Sequence, residues 1–380
     1  MDFDFSDDQE MLRDSVRKWV DRGYDFERRR GYVKAGGFSR NVWGEIAELG
    51  LTGLYVPEAH GGMGFGPIDA MVVMEELGRG LVLEPYADAA MVSATVLAGY
   101  APEAVQGEWL PKIAGGEAIV VLAHQERNSR YKLNRVDTTA KQAGDQWTIS
   151  GAKSVVPAGD QVDAFIVPAR VSGANDDPAG IALFLVERSA AGVTTWGYPT
   201  QDGARAAEVK FADAPATLLV AAGTGYTALG HAADVGIAAV SAEAVGAMDK
   251  LFTITAEYMN TRKQFGVALS TFQALRHRMA DVKMQLELGR SMSYYASLKL
   301  NEPADKRRRA LAQAKLQVSQ SVRFVGQQCT QLHGGIGVTD EYIGSHYFKR
   351  LTMIEMAWGD ALHHLGEVSA RMLDTAGVNA

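Results

Sequence analysis

The sequence contains a single cysteine, Cys329, among 380 residues. One thiol cannot form an intrachain disulfide, a cysteine-ligated zinc site or an iron–sulfur cluster held by one chain, so we expect a reducing compartment, the cytoplasm. The adjacent histidines His363 and His364 are not expected to bind a metal, because neighbouring residues of a helix point to different faces. The sequence therefore predicts neither a disulfide framework nor a metal site.

Long apolar runs and positive charge are also scarce. No apolar run approaches the roughly 20 residues that cross a bilayer, and the first residues lack the basic and apolar regions of a signal peptide. The chain has 38 lysines and arginines against 45 aspartates and glutamates, a formal net charge of -7. We expect no membrane span, no signal-peptide export and no general attraction to nucleic acid, so an anionic ligand must be bound by local groups.

The hydrophobic periodicity changes twice along the chain, whose length predicts two or three domains. From Ser6 onwards apolar residues recur with helical spacing, and Ser6 with Gln9 has the spacing of a capping box. Short β-branched runs separated by Gly, Asp, Asn and Pro follow, and helical spacing returns near Tyr226. This order predicts an α+β multidomain protein with an N-terminal α-helical domain over residues 1–119, a middle β domain over 120–225 and a C-terminal α-helical domain over 226–380.

The first candidate binding stretch is the run from Arg262 to Gly266 (RKQFG), which Gln273 follows. An arginine at the end of one helix, a glycine turn and a glutamine at the start of the next helix place a cation and an amide donor around a helix N-terminus. That arrangement suits a pyrophosphate. The alternative is a plain helix hairpin in which Gly266 makes the turn and Phe265 belongs to the core.

The second candidate stretch is residues 331–339 (QLHGGIGVT), with glycines at 334, 335 and 337. Glycines let a backbone approach a ligand closely, and they tolerate the left-handed dihedrals found at the end of a helix. The alternative is a helix C-cap that binds nothing. Glycine content alone leaves both interpretations open.

These two stretches, in this order, resemble the acyl-CoA dehydrogenase family of flavoproteins. The resemblance covers essentially the whole chain, and the ordered series of matches carries it. The other matching segments are Phe5–Gln9, Leu49–Leu51, Val56–Glu58, Gly61–Gly62, Glu75–Arg79, Thr138–Ala140, Gly151–Lys153, Glu341–Tyr342 and Tyr347.

The resemblance implies an architecture and a set of partners. The middle domain would be a β-barrel or sandwich, and the C-terminal domain a four-helix bundle. The chain would bind FAD in an extended form as a homotetramer or dimer, with each site completed by a neighbouring subunit. An acyl-CoA thioester would be the substrate and an electron-transfer flavoprotein the electron acceptor.

The resemblance also assigns cofactor-binding residues. Arg262, Phe265 and Gln273 match residues that hold the adenosine diphosphate half of FAD. Asp360 takes the place of a threonine that contacts FAD. The partner subunit reaches the same cofactor with the stretch that contains Gln331, Leu332, Gly334 and Gly335.

Both positions at which the family carries its carboxylate base lack a carboxylate. The family reaction removes an α-proton from the acyl-CoA while hydride leaves the β-carbon for the flavin. That proton is weakly acidic, so the base must be close and desolvated. The commonest base position corresponds to Trp358 and the minority position to Gly236. Neither indole nor glycine can accept the proton.

The segments expected to face the flavin ring depart from the family as well. The usual Thr-Glu-Pro and Gly-Ser-Asp elements are replaced by His124–Glu126 and Asn128–Tyr131. The usual Trp-Ile-Thr, whose threonine contacts the flavin, is replaced by Val155–Pro157, and proline lacks both a hydroxyl and an N–H group. The adenosine half of the site therefore matches the family more closely than the ring-binding half.

Asp360 and Glu243 are the candidate replacements for the missing base, with Glu355 and Asp234 as further carboxylates nearby. Asp360 lies in the loop or helix start that would face the flavin, and Glu243 lies two turns beyond the minority base position. For each of them the alternative is a solvated or capping carboxylate, because most charged residues have such a role.

The leading hypothesis is an FAD-dependent acyl-CoA dehydrogenase. Because the glutamate is missing, we expect this chain to be the glutamate-lacking subunit of a heterotetramer whose homologous partner carries it; such enzymes often act on bulky acyl groups. One alternative is a catalytically silent, flavin-free structural homologue. Another is a flavin oxidase or monooxygenase on the same fold, which needs no base for the α-proton.

Overall fold

The computed structural model describes residues 5–372, which fold into two compact units. The helical unit contains residues 5–29, 67–82 and 237–372. The sheet unit contains Arg30–Gly66 and Leu83–Gly236.

Helices fill the first third of the chain, as predicted. The first begins with the predicted capping box: Gln9 N donates to Ser6 Oγ at 3.2 Å, and Ser6 N donates to Gln9 Oε1 at 3.1 Å. These reciprocal bonds satisfy backbone donors that have no partner within the helix. The helices are α1 (Asp7–Gly23), α2 (Phe26–Lys34), α3 (Arg40–Glu48), α4 (Pro67–Gly80), α5 (Ala94–Tyr100) and α6 (Glu103–Ala114), with a π-helix at Ala87–Ser93 before α5.

Seven strands form one sheet in the sheet unit. They pair in the order β1-β4-β2-β3-β7-β5, and β6 pairs with β7. Strand β5 pairs antiparallel with both β4 and β7, so the hydrogen-bonded ring closes on itself. Every residue of β4 is buried, as in a strand covered on both faces. The strands are β1 (Val120–Leu122), β2 (Thr139–Ala143), β3 (Gln146–Pro157), β4 (Ala164–Arg170), β5 (Ile181–Glu187), β6 (Val193–Pro199) and β7 (Arg205–Val220).

Long helices return after the sheet. They are α7 (Gly225–Thr261), α8 (Gln273–Lys299), α9 (Ala304–His333), α10 (Ile343–Met356) and α11 (Ala361–Ala370). The two short strands β8 (Lys263–Gln264) and β9 (Val267–Ala268) lie between α7 and α8. Apolar side chains from α7 to α10 build the core of the helical unit, among them Met248, Leu286, Val322, Cys329 and Leu351.

Helices α4 and α7 cross at two glycines within the helical unit. A Cβ atom added to Gly246 of α7 would lie 1.7 Å from the carbonyl oxygen of Glu75 in α4. A Cβ atom added to Gly78 of α4 would lie 2.2 Å from the carbonyl oxygen of Glu243 in α7. Each helix therefore presents a glycine to the backbone of the other, and neither position has room for a side chain.

The predicted order of helical, sheet and helical regions is confirmed. The proposed boundaries after residues 119 and 225 stay a prediction, since the compact units divide the chain differently. Across residues 5–372 none of the helices combines the length and the apolar character needed to cross a bilayer.

Candidate cofactor-binding site

A tight hairpin follows α7 and begins directly after Arg262. Its strands Lys263–Gln264 and Val267–Ala268 pair antiparallel, and Phe265 and Gly266 between them have φ values of +54° and +82°. Two consecutive positive φ values are typical of a type I′ turn, which closes hairpins. The Phe265 side chain is 92% exposed at this turn. The alternative in which Phe265 belongs to the core is therefore wrong.

An open cavity of about 720 Å³ lies among the end of α7, the start of α8 and the end of α9. Its volume is typical of small-molecule sites. Gln273, the first residue of α8, and Asp360, beyond α10, are not among its lining residues. Five of the residues predicted to bind the cofactor do line it: Arg262, Gln331, Leu332, Gly334 and Gly335.

The cavity wall is positively charged. It carries the guanidinium groups of Arg262 and Arg278, and no carboxylate lines it within residues 5–372. Nη1 of Arg278 donates to Gln328 Oε1 at 3.3 Å, which links α8 to α9. Arg278 was not predictable from the sequence, because only the packing of α8 beside α9 brings it to this wall. A concave surface of this charge suits a phosphate or pyrophosphate.

Aromatic rings support the glycine-rich end of α9. His333 Nδ1 lies 2.8 Å from the Cys329 carbonyl oxygen and must donate to it, so Nε2 accepts from the Tyr342 hydroxyl at 2.9 Å. The centroids of the Tyr258 and His333 rings lie 4.7 Å apart. Burial lowers the pKa of His333 and so favours the neutral ring. Tyr258 was not among the predicted site residues, although its place one helical turn before Arg262 was a usable signal.

Gly334 and Gly335, which follow α9, differ in the structural reason for glycine at each position. Gly334 has φ +66° and ψ -142°, a combination that essentially only glycine adopts. A Cβ atom added to Gly334 or Gly335 would meet no other described atom within 4 Å. Packing within one chain therefore gives no reason for glycine at 335. The open space in front of its backbone is what close approach of a ligand or a neighbouring subunit needs.

Trp358 and Gly236, the predicted base positions, lie in different elements. Trp358 belongs to the turn between α10 and α11, where its φ is +58°, and Gly236 lies inside α7. Of the nearby carboxylates, Glu355 Oε1 lies 3.8 Å from Arg323 Nη1, and Asp234 is 2% exposed. The assignment of Trp358 and Gly236 as the family base positions stays a prediction.

The two carboxylates proposed as replacement bases both have structural partners. Asp360 is the N-cap of α11, and its Oδ1 accepts a hydrogen bond from His363 N at 2.9 Å. Glu243 is 5% exposed, and the Arg350 guanidinium donates to both of its oxygens, with Nη2 at 2.7 Å from Oε2. These bonds give each carboxylate a role without catalysis. Their catalytic and cofactor-binding roles stay predictions.

The segments expected to face the flavin ring hold a buried ion pair and a strained residue. Lys153 Nζ donates to Glu126 Oε1 at 2.6 Å, and the Thr138 hydroxyl donates to the same oxygen at 2.7 Å. This pair ties the segment after β1 to β3. Val155 lies in a bulge of β3 with φ +53° and is 43% exposed. A β-branched residue in that region is a backbone outlier, of the kind found at functional sites. Its place beside a flavin stays a prediction.

Known proteins resemble this chain along nearly its whole length. Residues 6–117, 122–214 and 223–373 match the N-terminal, middle and C-terminal domains of acyl-CoA dehydrogenases. The long-chain specific mitochondrial acyl-CoA dehydrogenase of Sus scrofa is 30% identical over 351 residues, which cover 89% of this chain and 80% of that protein.

Solved structures agree with this match. A chain of the Tcur3481-Tcur3483 steroid ACAD is 28% identical with a TM-score of 0.88, covering 97% of this chain and 98% of that one. A chain from a structure described as the electron transferring flavoprotein of Acidaminococcus fermentans is 25% identical with a TM-score of 0.88, covering 98% and 99%. The chain therefore belongs to the acyl-CoA dehydrogenase family, whose members are flavin-dependent oxidoreductases that act on CH–CH groups of acyl-CoA thioesters.

Proposed function

We propose that this chain binds FAD and acts in the α,β-desaturation of an acyl-CoA thioester, from which electrons pass to an electron-transfer flavoprotein. The cavity beside Arg262 carries the proposal. It combines two guanidinium groups with open glycine backbone in a chain of net charge -7, at the place where the family resemblance puts the adenosine diphosphate half of FAD. Within this proposal the closed sheet is the predicted barrel, and α7 to α10 form the predicted four-helix bundle.

The residues around the cavity fit a pyrophosphate. Arg262 and Arg278 would neutralise its charge, and Gln273 offers an amide at the N-terminus of α8, where the helix dipole favours an anion. Tyr342 and His333 hold the end of α9, so that the backbone of Gly335 stays open to the cofactor. FAD, when bound, supplies the acceptor for the hydride that leaves the acyl β-carbon.

The missing base points to a second subunit. Trp358 and Gly236 cannot take the α-proton, and Asp360 and Glu243 are held in a helix cap and an ion pair. In the proposed heterotetramer a homologous subunit supplies the glutamate. The similar Tcur3481-Tcur3483 steroid ACAD, which carries two paired chain names, supports such an assembly and a bulky acyl group.

The test compares the chain purified alone with the chain co-expressed with a homologue that keeps the glutamate. We expect a yellow complex with countable FAD, and anaerobic reduction of that FAD by an acyl-CoA only in the pair. Changing the partner's glutamate to glutamine should abolish reduction while the flavin count stays the same. This matched variant separates proton removal from cofactor binding.

Three outcomes would contradict parts of the proposal. A colourless complex that takes up no added FAD would favour a flavin-free homologue. Rapid oxygen consumption by the reduced flavin would favour an oxidase or monooxygenase. Rapid flavin reduction by the chain alone, abolished by Asp360→Asn or Glu243→Gln, would show that this chain carries its own base and would refute the partner subunit.

A further inference from the structure

The turn between α10 and α11 has a strained backbone. Trp358 and Gly359 have φ values of +58° and +110°. A bulky residue in the left-handed region costs about 1–2 kcal/mol, so such a residue persists only where its surroundings hold it. The groups that hold this turn come from α9 on one side and α11 on the other.

From α9, a lysine without solvent exposure reaches into the turn. Four oxygens surround Lys315 Nζ and share its N–H groups: the carbonyl oxygens of Ile354 at 3.0 Å, Glu355 at 3.0 Å and Gly359 at 2.9 Å, and Ser319 Oγ at 3.1 Å. The first two carbonyls belong to the last turn of α10, where the helix offers them no amide partner. One side chain therefore joins the end of α10 to Gly359, the residue before the N-cap of α11.

From α11, the buried His364 also contacts this turn. His364 Nε2 lies 3.0 Å from the Trp358 carbonyl oxygen and donates to it, because a carbonyl can only accept. Burial lowers the pKa of His364 to about 3, so the ring stays neutral. A Cβ atom added to Gly359 would lie 2.5 Å from His363 Cδ2 and 2.7 Å from His364 Nε2. The carbonyls of Trp358 and Gly359 are thus fixed, and no side chain fits at 359.

Lysine suits this site better than arginine. Its compact ammonium has three hydrogens that rotate to meet acceptors on several sides, whereas the planar guanidinium of arginine demands acceptors in one plane. Burial lowers the pKa of Lys315 to about 7, and the buried amine needs such partners because without them its desolvation is costly. The four oxygens belong to α9, α10 and the turn, so the amine fixes these segments against one another.

We propose that Lys315 is a positioning residue that holds Trp358 in one orientation at the acyl-binding end of the proposed flavin site. This inference rests on the proposed function, which identifies that place as the acyl-binding end of the site. The contacts of Lys315 with the turn do not depend on the proposed function. The indole then acts as a fixed wall at the position from which relatives extend a carboxylate.

The test measures the mobility of the Trp358 indole in the purified flavin complex. Acrylamide quenching of tryptophan fluorescence is recorded for the parent and for Lys315→Met, each compared with its Trp358→Phe counterpart, so that the difference isolates Trp358. We expect a several-fold rise in quenching of the Trp358 component in Lys315→Met. Lys306→Met, an exposed position on the same helix, is the matched control and should leave quenching unchanged.

A chemical rescue keeps the proposal testable if Lys315→Met does not fold. Lys315→Ala leaves a cavity lined by the four oxygens, which propylammonium fits and tetramethylammonium, having no N–H group, cannot satisfy. We expect propylammonium alone to restore the protection of Trp358. Protection without any amine, equal effects of both cations, or a chain that propylammonium fails to fold would each overturn the positioning role.

Flavin content and acyl-CoA oxidation are followed in the same samples. If the parent binds no flavin but Lys315→Met still exposes Trp358, then Lys315 does hold the turn and the proposed function fails. If flavin binds and Trp358 is equally protected in Lys315→Met, the positioning role fails and the proposed function stands.

Discussion

Replacing Gly246 by alanine tests the crossing of α4 and α7. The added Cβ atom would lie 1.7 Å from the Glu75 carbonyl oxygen and 3.0 Å from Arg79 N, and both atoms belong to the backbone of a helix that cannot rotate aside. Overpacking of this kind costs about 1–3 kcal/mol, and we take the upper end because the two helices must separate. The helix propensity of alanine returns about 1 kcal/mol. We therefore expect Gly246→Ala to lower the free energy of unfolding by about 2 kcal/mol.

Gly230 provides the matched control, because it lies in the same helix and a Cβ atom there meets nothing within 4 Å. Gly230→Ala should stabilise the protein by up to about 1 kcal/mol through helix propensity alone. Urea and thermal unfolding followed by far-UV circular dichroism, at one protein concentration, measure both variants. If Gly246→Ala is as stable as the parent, or if the two variants shift in the same direction, the tight crossing is refuted.

Three further predictions concern charged groups. Burial raises the pKa of Glu75 from 4.5 to about 7, and because the folded state then binds the proton more tightly, this group lowers stability as pH rises from about 4.5 to 7. Glu75→Gln keeps the neighbour Arg290, and its free energy of unfolding should exceed that of the parent by about 3 kcal/mol at pH 8 and by much less at pH 5. Urea unfolding at both pH values measures this difference, and an equal gain at the two pH values would contradict the prediction. Arg262→Ala should weaken FAD binding by about tenfold or more, as loss of a charged hydrogen bond does, whereas Arg276→Ala, outside the cavity, should leave the affinity measured by flavin fluorescence unchanged. Asp360→Asn should keep the melting temperature, because asparagine also caps helices, and Asp360→Ala should lose about 1 kcal/mol; a large loss in Asp360→Asn would show that its charge does more than cap α11.

Local features of the fold were predictable from the sequence. The capping box of Ser6 and Gln9 depends on residues three apart, and the helical and sheet regions follow from the spacing of apolar residues, so both were found. The exposure of Phe265 was left open, because an aromatic residue beside a glycine fits a core as well as a turn. It was decided by two positive φ values, which the local sequence does not reveal.

Features that join distant residues were not predictable. The cavity wall needs Arg278 and Tyr258 together with the end of α9, and only the packing of three helices brings them near one another. Lys315 lies in a helix whose neighbouring residues are mostly buried, and its acceptor carbonyls follow about forty residues later. Every residue has a backbone carbonyl, whatever its side chain. A sequence therefore cannot show which carbonyls such a lysine contacts.

The single thiol of the chain gives it a built-in reporter. Cys329 lies in the core of the helical unit without solvent exposure, and burial raises its pKa to about 11. A thiol reagent reacts with the thiolate, so at neutral pH modification has to wait until that core opens. The labelling rate of the unmodified protein therefore measures how often the helical unit unfolds. A cysteine introduced anywhere on the surface would be the one site at which a dye or spin label attaches to the native protein.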